Sequence, residues 1–331
     1  MGLQRIAIVG AGAIGGWMAA GLGSLPPGRV ALSVLARGAT LAQFQQHGLR
    51  VEQGGAVRHV PLLASADPNA LGVQDVVILA VKAPALAAVA PQVRQLMGEH
   101  TRVVVAMNGV PWWFFHGLGG PCDGLTLRSA DPDGQIAAAL PTAQVVGAVV
   151  HASATTPAPG CVRHVGGNGL ILGTPAGGLS PELRALGAWL EEAGWAVSLS
   201  ERIQRDIWFK LWGNMTMNPV SALTGATCDR VLDDELVRGL CSRVMEEAQA
   251  IGTRIGLPIA QTPEERHAMT RKLGAFKTSM LQDVEAGRPL ELDALVGTVR
   301  EIGQHLGEPT PFMDGLLGLT RLMAQTRGLG A

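Results

Sequence analysis

Cysteine pairs, an excess of charge of either sign and a membrane-length apolar run are all missing from this chain. Its four cysteines, Cys122, Cys161, Cys228 and Cys241, are widely scattered and form no CxxC pair. That argues against a disulfide framework, a structural zinc site or any other metal centre, and it fits a reducing cytoplasm. A formal net charge of -1 gives no electrostatic reason to expect nucleic acid or an anionic membrane surface as partner. The apolar run VVILAV, residues 76–81, is far too short to span a bilayer and reads as a buried strand. At the N-terminus, RIAIVGAG reaches glycines within a few residues and offers no secretory signal. Neither a long-period repeat nor a low-complexity tract is evident. What these absences leave is a soluble cytoplasmic protein that acts on small molecules. A homodimer is allowed by the sequence, not required by it.

With 331 residues, the chain is longer than one domain usually is. Its 47% hydrophobic and 16% charged residues can fill large cores, which excludes a disordered chain. The 44 glycines follow no triplet period, so they mark turns and close backbone approaches, not a fibre. Strand-like character gives way to long helical patterns near residue 200. Two domains are therefore expected, at 1–200 and 201–331.

The first half opens with RIAIVGAGAIGGWMAAGLG. An apolar, β-branched strand runs straight into Gly10, Gly12 and Gly15, and a helix of small residues, opened by Ala13 and Ile14, runs straight out. In a GxGxxG turn the first glycine permits the tight turn, the second lets a pyrophosphate approach and the third permits helix–strand packing. The helix N-terminus then offers N–H groups and partial positive charge to phosphates. The strand–turn–helix context makes this a Rossmann-type dinucleotide-binding domain. The next strand, VALSVLAR at 30–37, lacks the acid that usually binds the adenosine ribose of NAD and ends in Ala36 and Arg37. A guanidinium there suits the 2′-phosphate of NADP(H), although an ordinary surface arginine has the same sequence. Two further strand ends deliver Lys82 and Asn108, the latter followed by Gly109. Both fall where ligands bind in open α/β sheets. Read alone, Lys82 could be a solvated loop lysine and Asn108 a turn former.

Residues 111–140 break this rhythm. Four consecutive aromatics, Trp112 to Phe115, lead into a glycine-rich stretch. Such a cluster is either local core or a cover over substrate. Strands resume at AQVVGAVVHAS, CVRHVGG and GLILGTP, then a helix at PELRALGAWLEEAG and a strand at WAVSLS. Helices are expected over 203–217, 231–256, 291–306 and 312–326, with Pro219 kinking or ending the first.

Within that first helix, RDIWFKLWGNMTMNP spaces Lys210, Asn214 and Asn218 four residues apart, so one polar stripe runs along an otherwise apolar segment. A solvated face would carry more charge. Amid Trp208, Phe209, Leu211, Trp212 and Met215, a lysine loses hydration, which favours its neutral form and eases proton exchange near neutrality. The alternative is a snorkelling lysine with two core asparagines. A second polar group lies in TSMLQDVEAGRPLELDALVG, where Ser279 and Asp283 are four apart and Glu291 and Asp293 follow a Gly–Arg–Pro interruption. An acid near a helix start often only complements the dipole, and a partner such as Lys210 would give Glu291 a catalytic task.

Taken together, GAGAIG, Lys82, the Asn–Gly after a strand, KLWGNMTMNP and SMLQDVEAGRPLELD resemble the ketopantoate reductase (2-dehydropantoate 2-reductase) family over essentially the whole chain. The resemblance implies an α/β Rossmann domain, an all-helical C-terminal domain like that of 6-phosphogluconate dehydrogenase, and substrate in the cleft between them. It implies NADPH-dependent reduction of ketopantoate to (R)-pantoate, for pantothenate and coenzyme A synthesis. Lys210 would be the general acid and Glu291 would orient it and the substrate hydroxyl. Asn214, Asn218 and Ser279 would hold substrate, while Asn108 would contact cofactor and help position Lys210. Arg37 and Lys82 would favour NADPH. Two departures, the aromatic insertion and MNG in place of the more usual QNG, leave room for a reductase of a different 2-keto acid. A non-catalytic NADP-binding sensor would leave the polar stripe without a task.

Overall fold

The most apolar β-branched runs of the first half become buried strands. In the computed structural model, which describes residues 4–330, the first is β1 (Gln4–Val9), followed by β2 (Val30–Leu35), β3 (Leu49–Gln53), β4 (Ala56–Val60) and β5 (Leu63–Ser65). Then come β6 (Gln74–Leu79), β7 (Met97–Val105), β8 (Val145–Thr155), β9 (Cys161–Gly173) and β10 (Ala196–Leu199). They form one mixed sheet in the order β4-β3-β9-β8-β7-β6-β1-β2-β5, with β10 added to β9. Strands β1, β2, β5, β6 and β7 are mutually parallel, as buried runs joined by helices require. Ile6 to Val9 stand opposite Val76 to Leu79, which brings the ends of β1 and β6 level.

The chain divides into two compact units, 1–107 with 134–203, and 108–133 with 204–331. In the first, helix Ala13–Leu22 lies against β8 and β9, and Ile6, Ile8, Met18, Leu22, Val34 and Phe44 are part of its core. Gly16 brings that helix close to Val162, where an added Cβ would lie 3.1 Å from the valine Cβ. The separate strands expected at CVRHVGG and GLILGTP are one strand, β9. Gly167, at φ +73°, lies within it, and the pairing with β8 shifts register between His151 and Ser153. A glycine-bearing irregularity carries the strand through a point that reads as a turn.

The second unit is helical: Ile203–Thr224, Cys228–Asp233, Glu235–Arg254, Pro263–Arg271, Ser279–Glu285, Thr298–Leu306 and Pro311–Thr326. A single π-helical turn, Asp293–Gly297, leads into the helix at Thr298. Where 231–256 reads as one helix there are two. Asp234 separates them in extended conformation, its side chain accepting from the N–H groups of Leu236 and Val237. Pro219 does not end the first helix, which continues to Thr224. Met215, Met217, Val220 and Ala222 are buried on both sides of the proline, so packing outweighs the loss of one backbone bond.

Residues 108–133, expected with the first domain, belong to the helical unit. Phe114 and Phe115 are fully buried in its core with Trp208, Leu211 and Met215. Glu301 accepts from the backbone N–H groups of Arg128 and Ser129, both at 2.8 Å. Two backbone donors bound to one carboxylate fix the far end of the segment. All four aromatics are at most 7% exposed. This is an integral part of the second core, not a loose cover.

Candidate active site

Among the described residues, no helix is long and apolar enough to cross a membrane and no acidic, histidine or cysteine cluster could hold a metal ion.

In the first unit the turn after β1 has the geometry that three glycines allow. Gly10 has φ +92°, and a Cβ there would lie 2.7 Å from Val81 N. At Gly15 a Cβ would lie 2.1 Å from the Gly10 carbonyl oxygen, so the third glycine seats the helix directly on the turn. Gly12 differs, because a Cβ there meets nothing within 4 Å. It N-caps the helix Ala13–Leu22 in extended conformation. The first-turn N–H groups of that helix, including those of Ala13 and Ile14, have no intrahelical acceptor by geometry. An open glycine beside helix-terminal N–H groups is a cradle that suits a pyrophosphate. Arg37 follows β2 and is exposed at the start of helix Gly38–His47. Lys82 follows β6, half-buried, at the start of a short 3-10 turn. Both stand at the carboxyl ends of parallel strands, as the sequence leads one to expect.

In the second unit the helical stripe is real. Lys210 is half-buried, and its ammonium donates to Asn108 Oδ1 at 2.9 Å. Desolvation brings the Lys210 pKa from an ordinary 10.5 down to about 8, against an opposing pull from the charge of Glu291. Burial wins, and the carboxylate limits how far. Glu291 is 9% exposed and immediately precedes the helical turn that carries Leu292 to Gly297. It is no surface acid complementing a dipole.

Farther along the helix, Asn214 is half-buried and Asn218 is buried. The Asn218 amide donates to Ser279 Oγ at 3.4 Å. Ser221 Oγ donates to the Asn218 carbonyl at 3.0 Å and lies 2.5 Å from Thr278 Oγ1. Thr278 also N-caps the helix that Ser279 begins. Sequence reading singled out neither Ser221 nor Thr278. Their position, three residues after Asn218 and one before Ser279, is the signal that was there to use. The rest of the second polar group separates from the site. Asp283 pairs with Arg288 at 3.0 Å and closes the turn at Gly287, while Asp293 is exposed.

Residues 6–112 match the family model for ketopantoate reductase PanE/ApbA, and residues 202–324 match that for the ketopantoate reductase PanE/ApbA C-terminal domain. The chain belongs to the ketopantoate reductase family. The 2-dehydropantoate 2-reductase of Mesorhizobium japonicum is 44% identical over 98% of this chain and 99% of its own. A crystal structure from Ralstonia solanacearum MolK2, provisionally assigned as a ketopantoate reductase, is 59% identical with a TM-score of 0.94 and covers 99% of both chains. A D-mandelate dehydrogenase, in a ternary structure with NADH and anilino(oxo)acetate, shares the fold at a TM-score of 0.83, covering 98% of this chain and 100% of its own. It is 19% identical, so that likeness is one of fold alone. Like other ketopantoate reductases, the chain joins a Rossmann-like curled sheet to a helical C-terminal portion.

Proposed function

We propose that this family member reduces ketopantoate to (R)-pantoate with NADPH in the cytoplasm, for pantothenate and coenzyme A synthesis, with Lys210 as general acid. The observation that carries the proposal is the Lys210 ammonium, bound to Asn108 and biased by the charge of Glu291. With a pKa of about 8, the group is protonated in a ratio of roughly ten to one at neutral pH. It can therefore give a proton to an alkoxide as one forms at the 2-keto carbon. An ammonium aimed at growing negative charge stabilises the transition state more than the neutral ketone. Asn108 fixes where the ammonium points. Glu291 keeps it charged in spite of desolvation and can accept a hydrogen bond from a substrate hydroxyl. Asn214, Asn218 and Ser279 supply neutral donors for the substrate's carboxylate and carbonyl oxygens. The relative named 2-dehydropantoate 2-reductase supports ketopantoate as the 2-keto acid.

NADPH, when bound, would supply the hydride. Gly10, Gly12, Ala13, Ile14 and Gly15 would hold its pyrophosphate, and Arg37 with Lys82 its further phosphate. Asn108 would also contact the cofactor.

The test is to follow NADPH oxidation with purified protein, ketopantoate and a panel of other 2-keto acids. Turnover with ketopantoate well above the panel is expected. In Lys210→Ala, kcat should fall at least about a hundredfold while NADPH affinity stays near wild type. Surviving turnover would make Lys210 structural. NADPH binding without oxidation of any keto acid would point to a sensor.

A further inference from the structure

The π-helical turn Asp293–Gly297 passes the Thr298 N–H to the carbonyl of Asp293, five residues back. The Ala294 carbonyl, which would receive that N–H in an α-helix, accepts instead from Thr298 Oγ1 and from Val110 N–H, each at 3.0 Å. A register slip of one residue has thus given a helix a side-on acceptor. The neighbouring backbone is in direct contact. Gly109 has φ +87°, and an added Cβ would lie 2.4 Å from Ala294 O, 2.7 Å from its carbonyl carbon and 2.8 Å from its Cβ. No L side chain fits there, for reasons of both space and backbone angle.

We infer that Gly109 and the Ala294 carbonyl form a docking joint that positions Asn108 and Glu291 around Lys210. The joint lies one residue from Asn108 and three from Glu291. The loop whose amide accepts from Lys210 is therefore pinned to the same turn that brings in the carboxylate acting on Lys210. Asn108 stands two residues before the Val110 N–H bond that ties its loop to this turn. Displacements of about 1 Å are enough to cost on the order of a hundredfold in rate. Gly109 and Ala294 are positioning residues; neither needs to touch substrate. The assignment deepens the general-acid reading and rests on it for its catalytic consequence. Its structural content is separable, because it concerns the environment of one ammonium.

That ammonium can be observed directly. The chain has four lysines, Lys82, Lys210, Lys272 and Lys277, so lysine side chains labelled at Cε can be titrated by NMR with Lys210→Arg supplying the assignment. In wild type the Lys210 signal should titrate near 8. In Gly109→Ala, displacement of the loop admits water, and the midpoint should move up toward the ordinary 10.5. The kcat should drop by at least about tenfold. Since Gly109→Ala can disturb folding, Thr298→Val and Thr298→Ser provide a milder pair at a fully buried site. The valine removes one of the two donors to Ala294 and should shift the midpoint the same way. The serine keeps the hydroxyl and should retain the wild-type value. An unchanged Lys210 midpoint in folded Gly109→Ala, or in Thr298→Val, overturns the joint. Failure of the general-acid reading looks different: the midpoints move as expected, yet turnover survives Lys210→Ala.

Discussion

Glu291→Gln isolates the one charge that opposes the desolvation of Lys210. The substitution keeps shape and most hydrogen-bonding capacity, and removes the carboxylate that holds the lysine pKa up at about 8. An opposite charge within reach of a partly buried group moves its pKa by roughly one to three pH units. The upper end of that range, about three units, corresponds to about 4 kcal/mol between unit charges 4 Å apart at an effective dielectric constant of 20. Lys210 should then lose its proton between roughly pH 5 and 7. With Lys210 as the proposed general acid, reduction would require its protonated form, so activity should fall as pH rises through that pKa. In wild type kcat/KM should decline with a midpoint near 8, and in the variant that limb should appear one or more pH units lower. If it falls near 6, protonation alone lowers kcat/KM at neutral pH by about tenfold, with recovery on acidification. The assay is the pH dependence of kcat/KM for keto acid reduction, which reports the free enzyme. Lost substrate contact alone would lower activity at every pH and leave the midpoint unchanged. A variant midpoint at or above the wild-type value would refute the electrostatic account of Glu291.

Two further outcomes separate packing from recognition in the nucleotide-binding unit. Gly15→Ala should lower the melting temperature, since its Cβ meets a carbonyl oxygen at 2.1 Å, whereas Gly12→Ala, whose Cβ meets nothing within 4 Å, should keep stability and lose NADPH affinity; thermal melts and ligand titration on both variants check this. Arg37→Ala should raise the KM for NADPH by about tenfold or more, the value of one charge-assisted contact, and leave the KM for NADH nearly unchanged. An equal rise for both cofactors would remove Arg37 from phosphate recognition.

The parts of this molecule that could be read in advance are those whose meaning is local. The glycine turn is legible because a strand must precede it and a helix must follow. The stripe from Lys210 to Asn218 is legible because helical periodicity alone aligns its members. Pro219 misleads, because its local preference is overridden by the buried side chains around it. The aromatics after Asn108 carry no local sign of their partners, Trp208 and Met215, which come some ninety residues later. The π-turn at Asp293 is invisible for the same reason. Its register slip matters through a contact with Val110, and nothing near Ala294 in the sequence announces it.

Residues 108–133 have a bearing on how this protein is born. The chain passes from one unit to the other three times, so the helical unit is discontinuous along the polypeptide. A ribosome delivers residues at about 5–20 per second. Phe114 and Phe115 therefore emerge on the order of ten seconds before the helix that buries them. In that interval four large apolar side chains belong to no finished core, beside a nucleotide-binding sheet whose own strands are still arriving. Cutting the gene near codon 200 would prolong this nascent state indefinitely, leaving the first product with part of the second's interior. The stable pieces of this protein are defined by its packing, and they do not correspond to contiguous stretches of its gene.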